Sequence, residues 1–445
     1  MDDVATSSPT QGRPPRVLLM ASECNPEWVS TPLVGWSLTK AIRELTDAHL
    51  VTQVRNREAI LRAGLREGVD FTAIDSEAVA RRAWNLSTKL RGGAGKGWTV
   101  TTAISALTYP YFEELVWQRF GRRLAAGEFE LFHRVTPMSP TVPSTIGARV
   151  RAAGVPFVVG PLAGGVPWPK GFDDARRAEN EYLSYVRSVH RFLPHYRSTR
   201  REASALFVAS RDAYGQVPRD MRRKCFYLPE NAIDPARFSR RRTRRAERPV
   251  RCVFLGRLVP YKGADMLLEA ATPLLRSGAL TLAILGDGPQ MAGLRQVVTR
   301  EKISDAVRLA GWVEHGRVQD FLADGDLFTF PSIREFGGAV ALEAMAVGLV
   351  PLVVDYGGLG ELVTPKTGFL MPMGTRPQIV ERLRALLTHL CEHPEEIDAK
   401  SDAALRRAHE QFTWPAKARQ IVQVYDWILG RRPDRPVFPM PTPDL

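Results

Sequence analysis

Apolar residues along this chain come in short runs separated by amphipathic stretches, and the alternation predicts strand–helix–strand units. RVLLMAS, residues 16–22, follows Pro14-Pro15 and is expected to be the first strand. Similar runs recur over residues 48–52, 129–135, 157–160 and 205–209. After the first run comes a loop with Pro26, Pro32 and Gly35; then Trp36, Leu38, Ile42 and Leu45 predict a helix from 36 to 45. From Val250 the rhythm repeats, with strands expected over 250–255, 281–285, 307–309, 327–331 and 350–354 and helices between them. A final helical pattern over 415–429 carries Ile421, Val424, Tyr425 and Ile428. Strands alternating with helices in this way build parallel, doubly wound sheets. Ligands of such sheets bind beyond the carboxyl ends of the strands.

Length and composition narrow the class. A chain of 445 residues is too long for one ordinary core, so two domains are expected. No run of about eighteen apolar residues marks a membrane-spanning helix. Residues 1–15 are polar, lack the basic-then-apolar order of a secretory signal, and read as a disordered tail. The four cysteines, Cys24, Cys225, Cys252 and Cys391, lie far apart without metal-ligand spacing, which fits reduced thiols in the cytoplasm. A net charge of +13 implies an anionic partner. No nucleic-acid motif accompanies it, which leaves an acidic membrane face or an anionic acceptor.

The chemistry concentrates in the second half. Glu335-Phe336-Gly337-Gly338-Ala339 leads into a helix that carries Glu343, so two glutamates with seven residues between them can face one cleft. The glycines let a ligand approach the backbone. The unpaired N–H groups of a helix start favour an anion. Gly256-Arg257-Leu258, with Lys262-Gly263 shortly after, stands at the mouth of the strand that begins at Val250. An arginine and a lysine there can clamp a diphosphate. Gly286-Asp287-Gly288-Pro289 and Gly311-Trp312-Val313 follow two neighbouring strands. Asp324-Gly325-Asp326 has the spacing of a divalent-metal motif, but its place between a short helix and a strand reads as a turn. The glycine-rich stretch between Trp84 and Trp98 lacks the residues of a phosphate loop and reads as a surface loop.

Together, the E-x7-E with central glycines, the following Glu-Ala-Met-Ala and the G-R-L…K-G pair resemble the donor site of retaining glycosyltransferases of the GT-B fold, family 4. The resemblance is strong from about Val250 to Pro372 and loose before that. It implies two Rossmann-like doubly wound domains facing a central cleft, with the C-terminal helix crossing back. The domains expected are 16–228 for the acceptor, completed by 415–430, and 229–414 for the nucleotide-sugar donor, with an extended tail at 431–445. By the resemblance, Arg257 and Lys262 hold the diphosphate and stabilise its departure, Glu343 binds the ribose and Glu335 the transferred sugar. Backbone at Gly337, Gly338 and Ala339 faces sugar and phosphate, and Val313 flanks the base. His133, in Phe132-His133-Arg134, resembles the family's strand-end histidine beside the donor sugar, and Gly35 would admit the diphosphate. Many relatives read E-G-F-G where this chain has Glu335-Phe336-Gly337-Gly338, which leaves the sugar open. No metal or other cofactor is expected.

The acceptor should lie on the first domain, where the rigid Gly160–Pro169 loop shapes a pocket or forms a plain turn. Alternating aromatic and basic residues at 182–197 suit a surface on anionic lipid or a buried helix pair; the former would make the acceptor a lipid-linked sugar. The basic run between Phe238 and Arg251 reads as solvated. The expectation is a cytoplasmic transferase acting on a glycan or lipid-linked acceptor, with the inner membrane face as its candidate place of work. A catalytically silent sugar-nucleotide-binding protein and a sugar-nucleotide epimerase are the rival readings.

Overall fold

The computed structural model describes residues 13–77, 98–178, 194–243 and 249–438. The first sheet contains β1 (Arg16–Ala21), β2 (Asp47–Gln53), β3 (Phe71–Ile74), β4 (Leu131–Thr136), β5 (Phe157–Leu162), β6 (Ala205–Val208) and β7 (Cys225–Tyr227). Their order across the sheet is β3-β2-β1-β4-β5-β6-β7. The second contains β8 (Val250–Leu255), β9 (Leu280–Leu285), β10 (Val307–Gly311), β11 (Leu327–Phe330), β12 (Val350–Asp355) and β13 (Phe369–Pro372), ordered β10-β9-β8-β11-β12-β13. Every pairing between these strands is parallel. The strand order reverses between β1 and β4 in one sheet and between β8 and β11 in the other. A doubly wound sheet opens its ligand crevice at such a reversal.

The period of two along a strand divides the first domain's core. Val17 and Leu19 of β1 face one cluster, while Leu18 and Met20 face another on the opposite side. The helix Trp414–Ile428 covers the first of these faces. Thr413 caps it by accepting a hydrogen bond from Ala416 N–H, Pro415 starts it, and Ile421, Val424 and Tyr425 pack with Val17 and Leu19. The chain therefore leaves the first sheet after β7, builds the second, and returns. The two passages touch: Ile233 N–H donates to Phe412 O at 2.7 Å.

Three strands escaped the sequence pattern: β3, β7 and β13 are short edge strands that are only partly buried, so no continuous apolar run marks them as one marks the fully buried β6 and β11. The first helix spans Thr31–Arg43 and starts well before Trp36, because Pro32 in its first turn presets the helical backbone. The basic run is not simply solvated. The Arg242 side chain is 4 % exposed and bonds Asp326 and Asp398, and Arg251 bonds Asp326 through its N–H and guanidinium. Tyr196, within the stretch that suits either a lipid surface or a buried helix pair, is core: it is 2 % exposed, its hydroxyl donates to Gln216 O and Arg200 stacks on its ring. The glycine-rich segment up to residue 97, residues 179–193, 244–248 and the two chain ends beyond 13 and 438 lie outside the described residues.

Candidate active site

Two elements from opposite domains meet over the strand reversals. From the second domain comes the loop after β11, leading into the helix Ala339–Ala346. Gly338 caps this helix in the left-handed region (φ 56°), and no side chain caps the N-terminus. The amides of Ala339 and Val340 have no carbonyl one turn back, so they point their partial charge outward. From the first domain comes the start of the helix Thr31–Arg43, preceded by Ser30 in an unusual backbone conformation (φ 64°, ψ −140°).

Between them lie two adjoining compartments. The larger, about 700 Å³, is lined by Leu255, Gly256, Arg257, Gly286, Asp287, Trp312, Val313, Ala339, Val340 and Glu343, with Val29, Leu33 and Lys40 across from them. The smaller, about 250 Å³, is lined by Glu335, Phe336, Gly337, Glu230, Asn231, Glu23, Pro137, Met138, Ala163 and Gly164. Ser30, Val34 and Asn231 border both, so the two form one cleft. Glu335 and Glu343 therefore serve the same cleft from different compartments.

The mouths of β8, β9 and β10 are locked to one another. Gly256 N–H donates to Leu285 O, Leu258 N–H to Asp287 O, and Gly286 N–H to Gly311 O. Arg257 and Val313 thus stand on one rigid rim of the larger compartment. Lys262 forms a close ion pair with Glu335, both largely buried, and its ammonium lies 5.3 Å from the Phe330 ring centre. An anion entering here would compete with Glu335 for that ammonium.

His133 is not in the cleft. It is fully buried, with Nε2 2.7 Å from Gly160 O and Nδ1 2.5 Å from the Tyr425 hydroxyl. A carbonyl can only accept, so Nε2 carries the proton and Tyr425 donates to Nδ1. Burial pushes its pKa down to about 3, so the ring is neutral. The residue sits mid-strand in β4 and ties the sheet to the returning helix. Gly35 is likewise packing: a Cβ there would lie 2.0 Å from Glu23 O, so its bare backbone seats the helix against the loop after β1. At Gly338 a Cβ would meet Leu362 at 2.8 Å, on the side of the helix Gly357–Leu362. Asp326 lies at the amino end of β11, away from the cleft. Burial acts to raise its pKa, but hydrogen bonds from Arg251 and Arg242 hold it below the ordinary value.

Residues 236–402 match the family described as glycosyl transferases group 1. That span contains Arg257, Lys262, Val313, Glu335 and Glu343. A glycogen synthase of Mycobacterium tuberculosis is 32 % identical over 199 residues, which is 44 % of this chain and 47 % of that protein. A putative colanic acid biosynthesis glycosyltransferase, WcaL of Escherichia coli, is 31 % identical over 161 residues, 34 % of this chain and 40 % of that one. The chain thus spans about half the length of the curated relatives it matches, or less. Among solved structures, Anabaena HepE in complex with UDP and glucose aligns with a TM-score of 0.57 at 16 % identity, over 92 % of this chain and 99 % of that one. Sucrose-phosphate synthase from Thermosynechococcus elongatus aligns at 0.59 and 15 % identity, over 94 % and 100 %. At such identity the likeness speaks for the fold, and the fold is GT-B.

Several cleft residues carry no sequence signal of their own. Glu23 and Glu230 look like ordinary loop acids, yet both are carried into the smaller compartment. Burial raises the pKa of each, with Arg55 opposing the rise at Glu23. The loop expected at Gly160–Pro169 begins only at Ala163, since Gly160–Leu162 belong to β5, and it straps the domains together. Val166 O accepts from Arg334 Nε at 3.3 Å, Pro167 O from the Tyr356 hydroxyl at 3.0 Å, and Trp168 packs edge-on to Tyr261. Its start, Ala163 and Gly164, lines the smaller compartment.

Proposed function

We propose that this protein is a retaining glycosyltransferase that moves a sugar from a nucleoside-diphosphate sugar to a glycan or lipid-linked acceptor, in the synthesis of a polysaccharide or glycoconjugate. The observation that carries the reading is the convergence of Arg257, Glu343 and the unpaired Ala339 and Val340 amides on one compartment, with Glu335, ion-paired to Lys262 behind it, at the next. The nucleoside would lie along Val313, with its ribose on Glu343. The diphosphate would meet Arg257, Lys262 and the helix N-terminus, and the sugar would reach Glu335 and the Gly337 backbone. Charge that builds on the departing phosphate is then met by cations and oriented dipoles already in place. That supply of positive charge supports a reaction without a metal. In the front-face course proposed, the departing phosphate takes the acceptor's proton, and the protein acts by positioning and electrostatics.

The relatives' printed roles point the same way: one is a glycogen synthase, and another serves colanic acid biosynthesis. A cytoplasmic site at the inner membrane face is part of the proposal. It is supported by the net charge of +13, which favours an anionic surface. No helix among the described residues is long and apolar enough to cross a membrane. The test is to offer the protein UDP-, GDP- and ADP-sugars and follow release of free nucleotide. Turnover of one donor, lost in Lys262→Ala and Glu335→Ala, is the expected result. Binding without release under any acceptor would replace the transferase with a binding protein.

A further inference from the structure

Glu230 belongs to the linker that leaves β7, in Pro229-Glu230-Asn231. It is only 6 % exposed, yet it lines the smaller compartment. Its carboxyl lies against the glycine loop of the signature helix: a Cβ on Gly337 would come within 2.1 Å of Glu230 Oε1 and of Asn231 Nδ2. Gly337 is therefore bare so that these linker side chains can reach the cleft floor. Among the described residues no other residue donates a hydrogen bond to this carboxyl. A buried carboxyl that faces a cavity with most of its hydrogen-bonding capacity unused invites a polar ligand.

The shape of the cleft narrows what that ligand is. The smaller compartment adjoins the larger one at Ser30, Val34 and Asn231. A nucleotide held at Arg257 and Glu343 would extend its distal group into the smaller compartment. The walls there offer Ser30, Thr31, Ser139, Glu23 and Glu335, which are groups suited to a polyhydroxylated ring.

We propose that Glu230 is a specificity-determining residue of this site, its carboxyl hydrogen-bonded to a ring hydroxyl of the sugar that the donor carries. The inference rests on the reading of the larger compartment as the nucleotide site. The charged groups that face Glu230 are Lys417 on the returning helix, Glu335 in the signature loop and Glu361 on the helix Gly357–Leu362; Glu23 shares its compartment from the first domain. Burial raises its pKa to about 7, its own N–H and Lys417 oppose the rise, and Glu335 and Glu361 add to it. At neutral pH the carboxyl is thus available both to accept and to donate.

The test is calorimetric titration of the full chain with UDP, GDP and ADP, and with the hexose conjugate of whichever nucleotide binds best. In Glu230→Ala, affinity for the conjugate should fall by about tenfold or more, while affinity for the bare nucleotide stays within about threefold of wild type. Equal weakening of both ligands, or of neither, would overturn the role. Glu230→Gln keeps a donor and an acceptor without a titrating proton. It should hold conjugate affinity near wild type and flatten its change with pH between about 6 and 8. A Gln variant that keeps the wild-type pH profile would also overturn the role, even where the Ala variant fails to fold. If the wild type binds no nucleotide at all, the reading of the cleft falls, and this inference falls with it.

Discussion

Residue identity alone misleads where burial decides the role. His133 has the side chain of a catalytic group and sits in a strand that leads to the cleft, but Gly160 O and the Tyr425 hydroxyl occupy both of its nitrogens. Its sequence neighbours, Phe132 and Arg134, are equally buried, and a run of strand residues does not say where along the strand the cleft opens. Removing the donor in Tyr425→Phe leaves Nδ1 buried without a partner, which should cost about 1–3 kcal/mol in urea denaturation. Nucleotide affinity in that variant should equal wild type; a large loss of affinity with unchanged stability would return His133 to the site. Glu230 errs the other way. A linker acid in sequence becomes a cleft residue because the chain turns back on itself between two sheets. Arg257, Glu335 and Glu343 were legible for the opposite reason: each is local to a strand mouth or a helix start, and local spacing is what a sequence displays.

At the level of elements, the parallel strand–helix rhythm was readable wherever strands run to five or six buried residues, as in β1, β8 and β12. It failed at the three short strands, and at the first helix, where one proline moved the start to Thr31. That shift turned Gly35 from a loop glycine into a packing glycine. The Asp324-Gly325-Asp326 turn was legible as a turn, but its partners were not, because Arg242 lies far away in sequence. Asp326 joins the basic run to the amino end of β11, binding two arginines that are largely buried. Asp326→Ala would leave Arg251 without its carboxylate and Arg242 with Asp398 alone, and should lower stability by about 3–5 kcal/mol in chemical denaturation. Nucleotide binding by the folded fraction should be unchanged, since Asp326 lines neither compartment. Loss of binding in that fraction would restore the metal reading of the motif.

On the scale of the whole molecule, the site exists only because two domains face each other. The Ala163–Pro169 strap, the returning helix and the bond from Arg211 N–H to Glu361 at 3.0 Å fix that meeting. The general scheme of two doubly wound halves around a cleft followed from length and rhythm. The contacts across the cleft did not, because they join residues far apart in sequence through surfaces with no periodic pattern. The central claim is that the larger compartment holds a nucleotide through Glu343 and Arg257. The most direct test is titration of the wild type and Glu343→Ala with UDP, GDP and ADP by calorimetry. The account predicts that one of these nucleotides binds the wild type and binds Glu343→Ala about tenfold or more weakly, as expected for losing a hydrogen-bonded charged acceptor. Binding of equal strength in the variant, or no binding of any of the three to the wild type, would contradict it.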